Sequence, residues 1–391
     1  MPKQGLDSHR ETIQLRISAC FLVSAFCVLL TGCSTSHIDT ARVHYYQRDF
    51  EAAKTALTEV PVGDKNEVLA LMEGGMISHT CGDYEASTEI WLTATEKIKS
   101  LDFVSVSEGA SSLLINDNTQ TYSGAPFERS LLHAFTAQNY FARELWQDAA
   151  VEARLITDGL ASLNEFPDDP YSHYIAGLAF EMMRNSSGAR IEYEKANELA
   201  QNLSIGEQSG SLAPASTNLT AATQPPPGNE LICLISIGRA PVNGRYPREN
   251  RTWGPSPYAE ILSDGKVLGR SYTLNTTAHL LAATQKRIAV IKTAKTATRI
   301  VLKESIASAV SDNNALLGEI LRLILYALET PDLRGWSTLP MWLQVARVPC
   351  AEDLKECTVV FRNANGTELA RQNLAAPKAH DNKRITLIRI W

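Results

Sequence analysis

The sequence predicts an α+β protein: an N-terminal α-solenoid of paired helices over 33–200, then a small β-rich domain over 231–391 with a long helical insertion. Three observations lead there. A six-residue pattern recurs 34 residues apart in the first half, a period that stacked helix pairs use. A Pro/Ser/Gly-rich stretch over 201–230 loses all apolar periodicity and reads as a linker. After it, short apolar runs alternate with turn dipeptides, as strands and hairpins do. Charge divides at the same place. Residues 33–230 hold 12 Lys/Arg against 28 Asp/Glu, a net of −16, whereas 231–391 hold 22 against 13, a net of +9. The whole chain of 391 residues nets only −6, so the average hides two surfaces of opposite sign.

The amino terminus comes first. Lys3, Arg10 and Arg16 precede an uncharged apolar run over 17–30. That order, basic then apolar then small, is a secretory signal, and the run is shorter than the roughly 20 residues of a membrane-spanning helix. It closes on Leu30-Thr31-Gly32-Cys33, which resembles the lipobox of bacterial lipoproteins. The resemblance implies removal of 1–32, a diacylglyceryl group on the Cys33 sulfur and acylation, palmitate included, of the new amino terminus. Several acyl chains anchor durably where one would be marginal, at about 0.8 kcal/mol per buried CH₂. Ser34, where an Asp would signal inner-membrane retention in such proteins, implies the outer membrane, with the chain facing the periplasm.

The helical half follows. Arg48-Asp49-Phe50-Glu51-Ala52-Ala53 returns as Gly82-Asp83-Tyr84-Glu85-Ala86-Ser87. Further copies lie around Leu145-Trp146-Gln147-Asp148-Ala149-Ala150 and Ser187-Gly188-Ala189-Arg190, each after an apolar helical stretch. The arrangement resembles tetratricopeptide (TPR) repeats, with an aromatic at the turn and small Ala residues where helices approach. Two departures mark it as degenerate: an insertion near 100–129 and the missing Pro after most second helices. The resemblance implies a continuous core and a concave groove for a protein partner, with Tyr45, Tyr84 and Trp146 among its aromatics.

In the second half, 231–237 reads as a buried strand, and 259–262 with 267–274 flank the hairpin signal Ser263-Asp264-Gly265. Strands follow over 345–348, 358–361, 369–373 and 385–391, with Asn365-Gly366 as a second tight turn. Between these groups, 278–328 reads as one or two long helices. The runs Gly124 to Arg129 and Asp332 to Pro340 give the layout a similarity to a group of Gram-negative lipoproteins with a TPR-like front and a β-rich back. Trp336 is expected to anchor the long helix on the sheet, and Arg334 to pair with Asp332 or a carbonyl.

Candidate chemistry is sparse. Cys350 and Cys357 flank a short charged loop and are a possible disulfide in an oxidising compartment. Lys292, Lys295, Arg299 and Lys303 share one helical face. Three readings stay open for it: contact with an anionic lipid or acidic partner, a solvated helix face, or docking onto the acidic solenoid. Glu192, Glu194 and Glu198 read as a solvated charged face. No metal-protease spacing, nucleophile elbow, phosphate loop or dinucleotide fingerprint occurs, so neither metal nor cofactor is expected. Nucleic acid is not an expected partner, because the basic face lacks interleaved aromatics. The expectation is a non-enzymatic, lipid-anchored scaffold or assembly factor that binds protein in the cell envelope. The alternatives are an envelope-remodelling hydrolase, or a module that binds anionic lipid or glycan through the basic half.

Overall fold

One turn, used four times, builds the helical half. The computed structural model describes residues 33–107, 121–162, 166–217, 228–242, 245–290 and 334–391. Helices α1 (Cys33–Tyr46) and α2 (Phe50–Thr58) form the first pair, and α3 (Glu67–Thr80) and α4 (Tyr84–Ser107) the second. Helices α5 (Pro126–Ala142) and α6 (Trp146–Ser162), then α7 (Pro170–Met182) and α8 (Ser186–Leu199), complete the set. Between the partners of each pair stands a residue in the left-handed region: Arg48, Gly82, Glu144 and Arg184, with φ of 64°, 81°, 58° and 57°. Each sits two residues after one helix and two before the next.

The same two backbone bonds close all four turns. The left-handed residue donates to the carbonyl three back (Arg48 to Tyr45, Gly82 to His79, Glu144 to Phe141, Arg184 to Glu181) at 2.8–3.1 Å. Its successor donates five back, as from Asp49 to His44 and Asn185 to Phe180. This is the Schellman closure, which satisfies carbonyls that a helix end would otherwise strand. Three of the four turns hold a side chain in a region that favours glycine, which costs about 1 kcal/mol each. Asp49 and Asn185 then cap the following helices through Ala52 and Gly188 N–H groups.

Close approach inside each pair depends on small residues at matched offsets. Ala41, Gly75, Ala137 and Gly177 lie seven residues before the turns, and Ala53, Ser87, Ala149 and Ala189 lie five after them. All eight are buried. Where the first set has glycine, a large ring fills the space: a Cβ on Gly75 would meet Trp91 Nε1 at 2.1 Å, and one on Gly177 would meet Tyr193 at 2.7 Å. A histidine–glutamate bond also ties the last two pairs. His133 Nδ1 lies 2.6 Å from Glu152, and His173 Nδ1 2.6 Å from Glu192. Glu192 is therefore buried in an ion pair, which corrects its reading as part of a solvated face.

The stretch expected to be a linker is folded at its start. Strands β1 (Leu203–Ile205) and β2 (Leu212–Pro214) pair as a hairpin, and Leu203 and Ile205 enter the helical core. The main sheet has the order β10-β3-β7-β6, from β3 (Asn229–Ile237), β6 (Tyr272–Thr276), β7 (Trp342–Cys350) and β10 (Lys383–Ile390). β10 runs parallel to β3, and the other pairs are antiparallel. A second sheet follows the order β5-β4-β8-β9, from β4 (Tyr258–Ser263), β5 (Lys266–Arg270), β8 (Glu356–Arg362) and β9 (Glu368–Ala375). A one-turn helix, α9 (Asn250–Trp253), precedes β4, and another helix, α10, runs over 277–290.

The single strand expected over 267–274 is two strands in different sheets. Ser271 is the corner: its hydroxyl accepts from Ala259 N at 2.7 Å and donates to Gln344 at 2.6 Å, joining both sheets. Layering follows from alternation along β3. Ile232 and Leu234 face the helices, whereas Leu231, Cys233, Ile235 and Ile237 face the second sheet. The molecule thus has three layers (helices, main sheet, second sheet), and β3 is buried on both faces, as its unbroken apolar run requires. Cys350 closes β7 in the main sheet and Cys357 lies on β8 in the second, both at the core between the two sheets.

Two measurements test this frame. Gly75→Ala should cost about 3 kcal/mol in chemical denaturation through overpacking against Trp91, whereas Gly159→Ala, whose Cβ meets nothing within 4 Å, should gain about 1 kcal/mol of helix propensity. Burial alone would lower the His173 pKa, but the hydrogen bonds it donates to Asp168 and Glu192 raise it to about 9. The stabilisation from this raised value is complete below the unfolded value near 6.5 and disappears as pH climbs through 9. Stability should therefore fall by on the order of 3 kcal/mol between pH 6.5 and 9, and His173→Gln should flatten that slope.

Candidate functional site

In a stack of helix pairs, the first helices line the inner face, where a partner would lie. Here the chain's own C-terminal half occupies that face. α5 packs against β10 and α7 against β6, and the Trp391 ring lies 4.9 Å from Tyr45 on α1. Across α1, α3 and α5 runs the segment 334–341, which turns at Ser337 and Thr338 and leads into β7.

Two buried carboxylates hold this segment. Glu73 on α3 accepts from Ser337 N at 2.9 Å through Oε1 and from Thr338 N at 3.1 Å through Oε2. Its Oε1 also accepts from Arg42 Nε at 2.8 Å. Glu128 on α5 accepts from Trp336 N at 2.7 Å, and from Ala125 N and the Tyr122 hydroxyl. Three consecutive amide groups therefore end on helix carboxylates. Carbonyls are met as well: Arg42 Nη2 donates to Gly335 O and the Tyr46 hydroxyl to Ser337 O, both at 2.6 Å. Burial raises the Glu128 pKa despite its three donors, and the Arg42 guanidinium, though burial opposes its charge, is held above its ordinary value by Glu73 and Asp39.

Trp336 is the anchor, in a different place from the one expected. It is 2 % exposed and lies edge-on to Trp91 at 5.8 Å and Phe135 at 6.2 Å, inside the helix pairs, with its indole N–H on Thr338. Arg334 Nη1 reaches the Asn66 side chain at 3.0 Å and Lys65 O at 3.4 Å, so the carbonyl alternative is part of its contact.

The far end of the seam is ionic. Arg347 on β7, 1 % exposed, lies 2.7 Å from both Glu181 on α7 and Glu230 on β3, and Lys383 lies 3.3 Å from Glu181. Burial would raise the Glu181 carboxyl, but Arg347 and Lys383 hold it below the usual range. Asp169, which caps α7, accepts from Asn275 on β6. The acidic half and the basic half thus meet each other here.

An open cleft of about 690 Å³ remains where α1 leaves the seam. Asp39, Arg42, Val43 and Tyr46 form one wall, and Arg239, Val242, Arg245 and Tyr246 the other. The Arg239 guanidinium stacks 3.4 Å from the Tyr46 ring, and Val43, Val242 and Tyr246 are exposed. Asp39 is six residues after Cys33 on one helix, roughly 9 Å along its axis.

Other expected positions fall apart from this site. Cys33 heads α1, whereas Leu30, Thr31 and Gly32 lie outside the described residues, as do Lys292, Lys295, Arg299 and Lys303. Tyr45 is fully buried with its hydroxyl 3.0 Å from Thr80, Tyr84 meets His79 edge-on, and Trp146 stacks on His380 at 4.8 Å. None is a free groove aromatic. The acids that matter, Glu73, Glu128 and Glu181, escape sequence reasoning. Their one signal is an isolated carboxylate inside an apolar helical run, as in Leu-Met-Glu-Gly-Gly-Met. Among the described residues, no group of three or more His, Cys, Asp or Glu side chains could hold a metal.

No family model and no curated protein matches the chain. Among solved structures, MamA aligns at 17% identity over 42% of this chain and 72% of that one, with a TM-score of 0.28. MamA MSR-1 C2 aligns at 13% over 42% and 95%, with a TM-score of 0.19. Superpositions this loose carry no argument about what the chain does.

Glu73→Ala would leave Arg42 Nε and the Ser337 and Thr338 amide groups without an acceptor. It should destabilise the protein by about 3–5 kcal/mol in urea denaturation and expose 334–341 to limited proteolysis.

Proposed function

We propose that this protein is a non-enzymatic scaffold of the Gram-negative cell envelope, anchored to the outer membrane through lipid on Cys33 and facing the periplasm. Its helix pairs are TPR-like, and they recognise protein. The observation that carries the reading is the construction of the inner helix face. Carboxylates there take backbone amides, a tyrosine and an arginine take carbonyls, and a ring pocket takes one indole. Such a surface reads a chain segment by its backbone and one large side chain, and among the described residues it contains no nucleophile–base pair aimed at a reacting atom.

Because 334–341 fills that face, an external partner takes the open cleft beside α1. The cleft offers exposed Val43, Val242 and Tyr246 with Arg42, Arg239 and Arg245, an apolar floor with cationic rims suited to an acidic, apolar-tipped protein segment. Its place on the helix that Cys33 opens puts it next to the proposed anchor.

The test has two arms. Cys33→Ser should leave the precursor uncut or release the chain from membrane fractions; unchanged processing and fractionation would remove the anchor. A photo-crosslinking residue at Val43 or Tyr246 in cells should trap a defined protein, and the same residue at exposed Leu92 should not. Equal capture at all three positions, or none, would refute the cleft as the partner site.

A further inference from the structure

A second concavity lies on the other side of the helical half, enclosed by α4, α5 and α6, with a volume of about 330 Å³. Ile98, Leu132, Ile156 and Leu160 supply apolar wall, and Lys99 and Asp158 stand among its charged lining residues. Two polar groups on α5 break this apolar surface, Ser130 and His133. Ser130 is 7 % exposed, and its Oγ, itself buried, has no hydrogen-bond partner among the described residues. A buried hydroxyl left unpaired is costly, so this one has a reason to be met by a ligand.

The molecule contains its own control for His133. Forty residues on, His173 makes the same bond from its Nδ1 to a glutamate on the next helix, with the same spacing of 19 residues. Its second nitrogen, Nε2, is closed by Asp168 at 3.0 Å, and the ring is 1 % exposed. The residue that corresponds to Asp168 in the earlier pair is Glu128, and Glu128 is turned away to Trp336 N and Tyr122. His133 Nε2 therefore has no partner among the described residues, and its side chain is 16 % exposed at the pocket. Because Glu152 accepts from Nδ1, that nitrogen carries a proton, and the tautomer this bond selects has its lone pair at Nε2.

From this geometry we infer that the pocket binds a small neutral molecule with an apolar body and one hydroxyl group. One hydroxyl meets both needs, donating to His133 Nε2 and accepting from Ser130 Oγ–H. A carboxylate head would oppose the Nε2 lone pair, and the charged lining, Lys99 and Arg129 against Asp102 and Asp158, is balanced and favours neither an anion nor a cation. An ionised head of either sign would also surrender its hydration to aliphatic walls. The pocket size is at the low end of small-molecule sites, which favours a compact ligand.

The experiment titrates the full chain with p-cresol and with toluene, which differs by the hydroxyl, using calorimetry and ¹⁵N NMR of the histidine side chains. Expected are saturable p-cresol binding at least about tenfold tighter than toluene, and a shift of the His133 Nε2 resonance with His173 unmoved. Two variants locate the site. Gly159 lines the pocket and a Cβ there meets nothing within 4 Å, so Gly159→Leu should fill the space and abolish binding in a folded protein. Ser130→Ala removes a hydroxyl that bonds nothing among the described residues, and should cut the preference for p-cresol over toluene to about threefold or less. Absence of saturable binding overturns the proposal. So does toluene binding as tightly as p-cresol, or p-cresol binding undiminished in Gly159→Leu.

Discussion

Three successive amide groups, on Trp336, Ser337 and Thr338, end on two carboxylates that belong to different helices, Glu73 and Glu128. A buried carboxylate demands donors, and the turn at Ser337 and Thr338 presents consecutive backbone amides to it. Each therefore helps settle the other: without the acids the three amides would be stranded, and without the segment Glu73 would keep only Arg42 and Glu128 only Ala125 N and Tyr122. Arg42 completes the arrangement by bonding Glu73 and the Gly335 carbonyl at once. The position of 334–341 across α1, α3 and α5 follows from that exchange, and so does the entry of β7 into the middle of the main sheet.

The uneven charge of the two halves finds part of its use at the same seam. Glu181 from the acidic half and Arg347 and Lys383 from the basic half meet under the main sheet, where the solvent that would weaken them is excluded. Nearer the surface the pairing is of a weaker kind. Arg184 with Asp381 and Glu144 with Lys378 bridge the halves too, the first with its signs reversed, but long exposed side chains contribute little to stability. The specificity of docking thus comes from a few desolvated groups and not from overall attraction between an acidic and a basic body.

A repeated architecture lets equivalent positions take different duties. The histidine–glutamate pair shows this. At His173 a second acid locks the imidazole between two helices, whereas at His133 the matching acid has been recruited to the seam and the ring is left facing a pocket. A change that binds 334–341 in one direction thereby opens a polar site in the other. The helical half, closed on its inner face, keeps recognition chemistry at two places: the cleft beside α1, and the hollow between α4, α5 and α6.

The sequence by itself determined the local features. A 34-residue echo and apolar helical runs place the helix pairs, because each helix declares its buried stripe within its own few turns. Ser263-Asp264-Gly265 and Asn365-Gly366 mark their turns for the same reason, and the shift in composition after residue 200 marks the change from helix to strand. Even locally there was a limit: Arg48, Glu144 and Arg184 adopt the conformation of Gly82 without announcing it, since the Schellman bonds around them offset the strain. Tertiary structure alone decided which faces meet. The split of 267–274 at Ser271, the parallel addition of β10 to β3 and the packing of Trp336 against Trp91 and Phe135 all join residues far apart in the chain. Glu73 and Ser337 are separated by 264 positions, and no periodicity or propensity extends that far. What makes Glu73 a docking group and not a surface charge is the donor that arrives from the other half, and only the folded molecule supplies it.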